Sequence, residues 1–385
     1  MIKKADRLND VKEYYFSKKL REVGVLKKEG KPVINIAIGS PDLKPAPSVI
    51  AALNSAAQLD STHGYQSYQG IPELREGFSN FYKENYNVSL NPASEVLPLM
   101  GSKEGIMHIS MAFLNKGDKV LIPNPGYPTY LSVTKLVEAE PVFYNLNEVT
   151  NWLPNFKEIE KEDLSKVKIM WVNYPHMPTG AAASKENFKQ LIAFAKKYDI
   201  LIVNDNPYSF ILNDNPISIL AVEGAKEVAI ELNSLSKTFS MAGWRVGMVV
   251  GDAEIIKAIL QVKSNMDSGM FLGIQKGAVE ALKLSKKWFE EQNEIYKKRR
   301  AIVWRIFEAL ECTYDKKIGG LFVWAKLPKG KKSEEFTDVL LHEKDVFIAP
   351  GTVFGSNGEG YIRASLCVSS AVFEEVLNRL KTVKK

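Results

Sequence analysis

"ELNSLSKTFSMAGWRVG" occupies residues 231–247 and separates two apolar runs, "VAIELN" (228–233) and "RVGMVVG" (245–251). Neither run alternates cleanly between apolar and polar residues, which is the pattern of strands covered on both faces. Only the eleven residues Ser234–Trp244 lie between them, and Gly243 interrupts these. A helical crossover between parallel strands needs a dozen or more residues. The second run is therefore expected to lie antiparallel within its sheet. Lys237 sits in this break among serines and aromatics. Its position poses the question of whether it is a solvated surface charge or a covalent catalyst.

Upstream, "KVLIP" (119–123), "VKIMWVN" (167–173) and "ILIVND" (200–205) read as further buried strands. Amphipathic helices alternate with them. In "SKENFKQLIAFAKKYD" (184–199), Phe188, Leu191, Ile192 and Ala195 form one stripe, and Ser184 is placed to cap the helix. Strand–helix alternation predicts an α/β domain with a mostly parallel sheet and one antiparallel strand over residues 45–285. From residue 286 a long charged helical segment begins, followed by a hairpin-like "GGLFVWAKLP" (319–328) and a terminal strand and helix. This predicts a smaller α+β domain of residues 286–385, joined by residues 1–44.

The 385 residues suffice for two domains, and 45% hydrophobic with 25% charged residues is ordinary globular composition. The net charge of +6 is spread along the chain. Its tight basic clusters, "KKRR" (297–300) and the tail "KTVKK" (381–385), read as a solvated helix face and a frayed terminus. No basic stripe or reading motif suggests a nucleic-acid partner. Two cysteines, Cys312 and Cys367, argue against a disulfide framework and fit a reducing compartment. The N-terminus has no apolar signal core, and no run of eighteen apolar residues is present. These features predict a cytoplasmic protein outside the membrane.

Ligands of open α/β sheets sit beyond the carboxyl ends of the strands. Asp205 ends "ILIVND", with Tyr208 three residues on, and Asn173 ends "VKIMWVN". Lys237 follows "VAIELNSLS". In "GSKEGIMHISMAF" (101–113), Ser102 and Lys103 fall at a helix start, where free backbone N–H groups suit a phosphate. "NPGYPTY" (124–130) puts Tyr127 in a proline-held loop. Taken singly, each residue has an ordinary explanation as a surface charge, cap or packing group. Together an acid, a lysine, a phosphate cradle and an aromatic ring are predicted to share one sheet edge. His63, His108 and His342 show no spacing that suggests a metal site.

The chain resembles the class I/II aminotransferases of pyridoxal-phosphate fold type I. The resemblance is carried by "INIAIGSPD" (34–42), "HGYQSYQGIPELREG" (63–77), "GSKEGI" (101–106), "PNPGYPTY" (123–130), "NYPHMPTG" (173–180), "NDNPYSF" (204–210), "SLSKTFSMAGWRVG" (234–247) and "APGTVFGSNGEGYIRASL" (349–366). They keep the family's order and cover most of the chain. The resemblance implies a seven-stranded sheet, pyridoxal 5'-phosphate as cofactor, amino-acid and 2-oxo-acid substrates, and a homodimer with its active site at the interface. It assigns Lys237 to the imine with the cofactor aldehyde, and Asp205 to the pyridine nitrogen, whose protonation makes the ring an electron sink. Tyr208 is assigned to the phenolic oxygen and Tyr127 to stacking on the ring. Ser102, Lys103, Ser234, Ser236 and Arg245 are assigned to the phosphate. Tyr65 is expected to reach it from the partner subunit, with Tyr68 a competitor for that role. Arg363, beside the backbone of Gly39, is assigned to the substrate α-carboxylate. Freed Lys237 is assigned the proton transfer that makes the reaction a transamination.

The chain departs from the family at Met177, where an asparagine normally precedes "PTG" and donates to the phenolic oxygen. Methionine has no such donor, which leaves Tyr208 as that oxygen's neutral partner unless His176 or a water substitutes, and the lost amide is expected to raise the pKa of the imine. Dicarboxylate-specific relatives carry an added arginine. The matching region, "KSNMDSGMFLG" (263–273), has none, although Lys263 begins it, and "EYYF" (13–16) offers aromatic walls. A bulky apolar or aromatic donor is the resulting expectation. A carbon–sulfur lyase of the same fold is the alternative reaction. A regulator's effector-binding module is disfavoured because no helix-turn-helix segment precedes the fold, and a nicotinamide dehydrogenase because no G-x-G-x-x-G follows a strand.

Overall fold

The computed structural model describes residues 2–11 and 13–381, so the basic tail from residue 382 lies outside them. Helices α1 (Tyr15–Lys28), α2 (Pro47–Ala57) and α3 (Pro72–Tyr86), with the short strand β1 (Ile34–Asn35), precede the main sheet. The central part runs β2 (Val96–Leu99), α4 (Ser102–Phe113), β3 (Lys119–Asn124), α5 (Pro128–Leu136), β4 (Glu140–Asn145), α6 (Phe156–Ile159), β5 (Val167–Val172), α7 (Lys185–Tyr198) and β6 (Leu201–Asp205). It continues with β7 (Ala229–Ser234), α8 (Leu235–Thr238), β8 (Gly247–Val250), α9 (Ala253–Lys263) and α10 (Leu272–Leu282). The sheet has seven strands in the order β2-β8-β7-β6-β5-β3-β4. Every pair is parallel except those of β8, which runs antiparallel to both β7 and β2. The short connection after Ser234 thus has the predicted consequence.

Local chemistry explains the elements. Ser184 and Asn187 close a capping box at the start of α7, and Phe188, Leu191, Ile192 and Ala195 are all buried on the sheet. The strands read from sequence are the central ones, with Ile169, Met170, Trp171 and Val172 of β5 fully buried. The two strands not read are the edges. In β2, Pro98 lacks an N–H, which an edge strand paired only with β8 tolerates. Strand β4 is largely half-buried or exposed and has no continuous apolar run.

The C-terminal part comprises α11 (Lys286–Ala309), β9 (Thr313–Tyr314), β10 (Phe322–Lys326), α12 (Ser333–Lys344), β11 (Val346–Phe347), β12 (Ala349–Pro350), β13 (Tyr361–Ser365) and α13 (Ser370–Lys381). An antiparallel sheet has the order β12-β13-β10-β9, and β1 pairs with β11 in parallel. Phe16, Val23, Leu26, Val33 and Ile36 pack into the same core as Val303, Phe307, Trp324, Phe347 and Phe373. The basic run on α11 is only partly the solvated face expected from sequence. Lys297 and Lys298 are exposed, but the helical repeat turns Arg299 inward with Tyr296 and Val303. There its guanidinium forks onto both carboxylate oxygens of Asp42 at 2.7 and 2.9 Å. This pair fixes the segment carrying Gly39. A second tie joins Asn124, at the end of β3, to Ser356 (2.8 Å) and Asn357 (3.1 Å), which fixes the turn after Phe354.

Candidate active site

The carboxyl ends of β5, β6 and β7 open into a cavity of about 590 Å³. Eleven of the twelve residues singled out from sequence line it: Gly39, Ser102, Lys103, Tyr127, Asp205, Tyr208, Ser234, Ser236, Lys237, Arg245 and Arg363. Tyr65 is 94% exposed and lies outside it.

Asp205 is the last residue of β6. Its Oδ2 accepts from the Tyr130 hydroxyl at 2.9 Å, while its buried Oδ1 has no hydrogen-bond partner among the described residues. Burial pushes its pKa up to about 7, against the Tyr130 hydrogen bond and with the Glu231 carboxylate adding to the rise. Tyr130 stacks on Trp171 with ring centroids 4.9 Å apart and so has a fixed orientation. Sequence reading missed Tyr130, since its link to Asp205 crosses 75 positions. Asn173 donates its amide to the Asp205 carbonyl and accepts from the Met177 N–H at 2.7 Å.

At the other side, Gly101 starts α4 at φ 89°, a conformation that favours glycine. A Cβ there would collide with the Arg245 guanidinium, so glycine leaves room for that group against the helix start. Ser234 caps α8 by accepting from the Ser236 N–H at 3.0 Å, and the two hydroxyls are 2.7 Å apart. Two hydroxyls, a helix N-terminus and an exposed guanidinium together suit a phosphate dianion.

Lys237 projects from α8 between these groups, and its ammonium donates to the Gly39 carbonyl. Burial lowers its pKa; Arg363 and Arg245 add to the fall, while Cys367 and Asp205 oppose it. An amine so placed is more readily neutral and nucleophilic than a surface lysine. Arg363, on β13 opposite Trp324, is 4% exposed. Its guanidinium carbon lies 3.9, 4.5 and 5.7 Å from the ring centroids of Phe322, Phe354 and Phe16. One Nη donates to the Ala37 carbonyl at 2.7 Å, and the other is 3.4 Å from the Met177 sulfur. The box of rings desolvates the cation, which lowers its pKa to about 10 and strengthens its attraction for a carboxylate. Nothing in the local sequence around Arg363 signals this box, because its three rings come from three separate segments.

His176 does not replace the amide that Met177 lacks. It is buried outside the cavity, its Nδ1 is 2.8 Å from the Thr179 hydroxyl, and burial lowers its pKa to about 3. Lys263 is also turned away, buried against Asp267 at 2.7 Å. Glu104, His108 and Asp267 approach one another within 4.8 Å, and the Lys263 ammonium already supplies that cluster with a cation. Among the described residues no helix is long and apolar enough to cross a membrane.

Residues 31–380 match the family described as aminotransferase class I and II. The chain belongs to this family and is an aminotransferase, with the architecture of the fold-type I enzymes. Aminotransferases of this type use pyridoxal 5'-phosphate. The chain is 40% identical over 390 residues to an LL-diaminopimelate aminotransferase of Dehalococcoides mccartyi, covering 100% of this chain and 99% of the relative. It is 38% identical over 386 residues to one from Aquifex aeolicus, covering 100% of both. The structure of apo-BacF from Bacillus subtilis matches with a TM-score of 0.94 at 36% identity over 98% of each chain.

The residues present fit that cofactor. Asp205 Oδ1 is a buried acceptor lacking a donor, and a protonated ring nitrogen would provide one. A carboxyl whose folded pKa lies above its unfolded value makes the folded state lose stability as pH rises between the two. For Asp205 this window runs from the ordinary aspartate range up to about 7. Asp205→Asn should therefore raise the melting temperature of the cofactor-free protein at pH 8 relative to the parent and leave it nearly unchanged at pH 4, as read by calorimetry. Equal shifts at both pH values would contradict the assignment.

Proposed function

We propose that the chain transfers an amino group between an amino acid and a 2-oxo acid, with pyridoxal 5'-phosphate held in the cavity by Asp205, Tyr208, Tyr127, Ser102, Lys103, Ser234, Ser236 and Arg245. The observation that carries this reading is the convergence of Lys237, Asp205 and Arg363 on one cavity from three distant parts of the chain. The bound cofactor supplies an aldehyde and an electron-accepting ring. Lys237, whose burial lowers its pKa, would be the amine to meet that aldehyde and the base to move a proton at the substrate's Cα. Arg363 grips the α-carboxylate, and the rings around it exclude water from the pair. Asp205 would pair with the ring nitrogen and keep it protonated.

We read residues 45–285 as a cofactor-binding domain and residues 1–44 with 286–385 as a smaller one. We also propose a cytoplasmic homodimer in which Tyr65 reaches the partner's phosphate site. The high exposure of Tyr65 supports the second part, and the two free, buried cysteines support a reducing compartment.

Two observations bear on the amino donor. The full-length relatives at about 40% identity are named for LL-diaminopimelate, which makes that the first donor to test. The cavity wall of Tyr14, Phe16, Leu20, Ile38, Phe322 and Phe354 is apolar and favours a bulky apolar or aromatic side chain as a second reading. A panel of LL-diaminopimelate, aromatic and aliphatic donors against 2-oxoglutarate separates them. Amino exchange is expected with at least one class and should fall by several orders of magnitude in Lys237→Ala. Ammonia release without an acceptor would instead indicate elimination.

Met177 leaves the cofactor's phenolic oxygen one donor short. Met177→Asn should lower the pH midpoint of the loaded enzyme's visible absorbance change by about one unit. An unchanged midpoint in a spectrophotometric titration would show that the missing amide does not matter.

A further inference from the structure

One buried carboxylate, that of Glu231, lies outside the cavity and acts on it only from behind Asp205. Glu231 sits in the middle of β7, is 0% exposed, and pairs across the sheet with Asn204 of β6. It is surrounded by donors. The Tyr82 hydroxyl lies at 2.9 Å, Asn204 Nδ2 at 2.9 Å, the Ile219 N–H at 3.1 Å and Asn206 Nδ2 at 3.3 Å. Tyr82 itself accepts from Asn233 at 3.4 Å, so its hydroxyl proton is directed to Glu231. Four donors match a carboxylate, which only accepts hydrogen bonds. Burial raises the Glu231 pKa, and the hydrogen bonds from Asn204, Tyr82, Ile219 and Asn206 oppose that rise.

The placement of these donors matters more than their number. Asn204 and Asn206 are the two sequence neighbours of Asp205. Side chains alternate along a strand, so both neighbours face Glu231 while Asp205 faces the cavity. Asn204 also receives the Tyr174 N–H at 3.2 Å, and Asn206 donates its own N–H to the Leu232 carbonyl at 2.8 Å. Glu231 therefore clamps the carboxyl end of β6 from both sides of Asp205. Its negative charge also adds to the potential at Asp205.

We propose that Glu231 is a positioning residue for the cofactor's ring nitrogen: by clamping Asn204 and Asn206 it holds the Asp205 carboxylate where it meets a protonated ring, and its buried charge strengthens that pairing. This inference rests on the cofactor reading above. It is tested with cofactor-free protein, by tryptophan fluorescence quenching on adding pyridoxal 5'-phosphate or its 1-deaza analogue, in which a C–H replaces the ring nitrogen. The parent should bind pyridoxal 5'-phosphate more tightly than the analogue. Glu231→Gln presents an amide to a ring of donors and should weaken pyridoxal 5'-phosphate binding about tenfold or more. It should change the analogue's affinity by less than about twofold, so that the preference collapses. Equal loss for both ligands, or an unchanged preference, would overturn the proposal, the former leaving Glu231 a purely structural residue. A parent with no preference would instead overturn the pairing of Asp205 with the ring nitrogen. Should Glu231→Gln fail to fold, Tyr82→Phe removes one donor and keeps the carboxylate. It should reduce the preference by a smaller factor, and an unchanged preference there would likewise overturn the proposal.

Discussion

The Oδ1 atom of Asp205 is buried without a hydrogen-bond donor among the described residues, and much of the site is arranged around that unmet demand. An unpaired buried acceptor is costly, and a carboxylate more so than a neutral group. The protein does not relieve it internally. Tyr130 occupies only Oδ2, and Asn173 binds the Asp205 main-chain carbonyl rather than its carboxylate. The strain is complementary at Lys237, where an ammonium is disfavoured by burial and by two nearby guanidinium groups. A ligand that offers a protonated ring nitrogen, an aldehyde and a phosphate answers the acid, the amine and the hydroxyl-lined helix start at once.

The fold delivers these groups by a single topological decision. Because the chain turns back after α8 instead of crossing over, β8 fills the place beside β7 in antiparallel sense. Ser234, Ser236, Lys237 and Arg245 then all fall within one short excursion at the carboxyl edge. Gly101 allows Arg245 to reach the start of α4, so the excursion and the helix form one cradle. The opposite wall of the cavity comes from elsewhere. The Asp42–Arg299 pair and the Asn124 tie bring Gly39 and Phe354 against that edge, and Arg363 follows on β13.

The central strands were legible in the sequence because they are buried on both faces and need continuous apolar runs. The edge strands were not, since Pro98 interrupts one and solvent faces the other. Residues with a role encoded in a local motif, such as Lys237 and Asp205, could be named with their neighbours. Tyr130, and the rings of Phe16, Phe322 and Phe354 about Arg363, could not, because their meaning lies in contacts between distant segments. The same limit explains Arg299, whose charge suggested solvent while its helical phase placed it inside, and His176, which lies next to Met177 but faces Thr179.

The central claim is that Lys237 is the amine that takes the cofactor's aldehyde. It is tested most directly by loading the protein with pyridoxal 5'-phosphate, reducing with borohydride and mapping the label by peptide mass spectrometry. The account predicts one stoichiometric phosphopyridoxyl group on Lys237. A label on another lysine, or none, would contradict it.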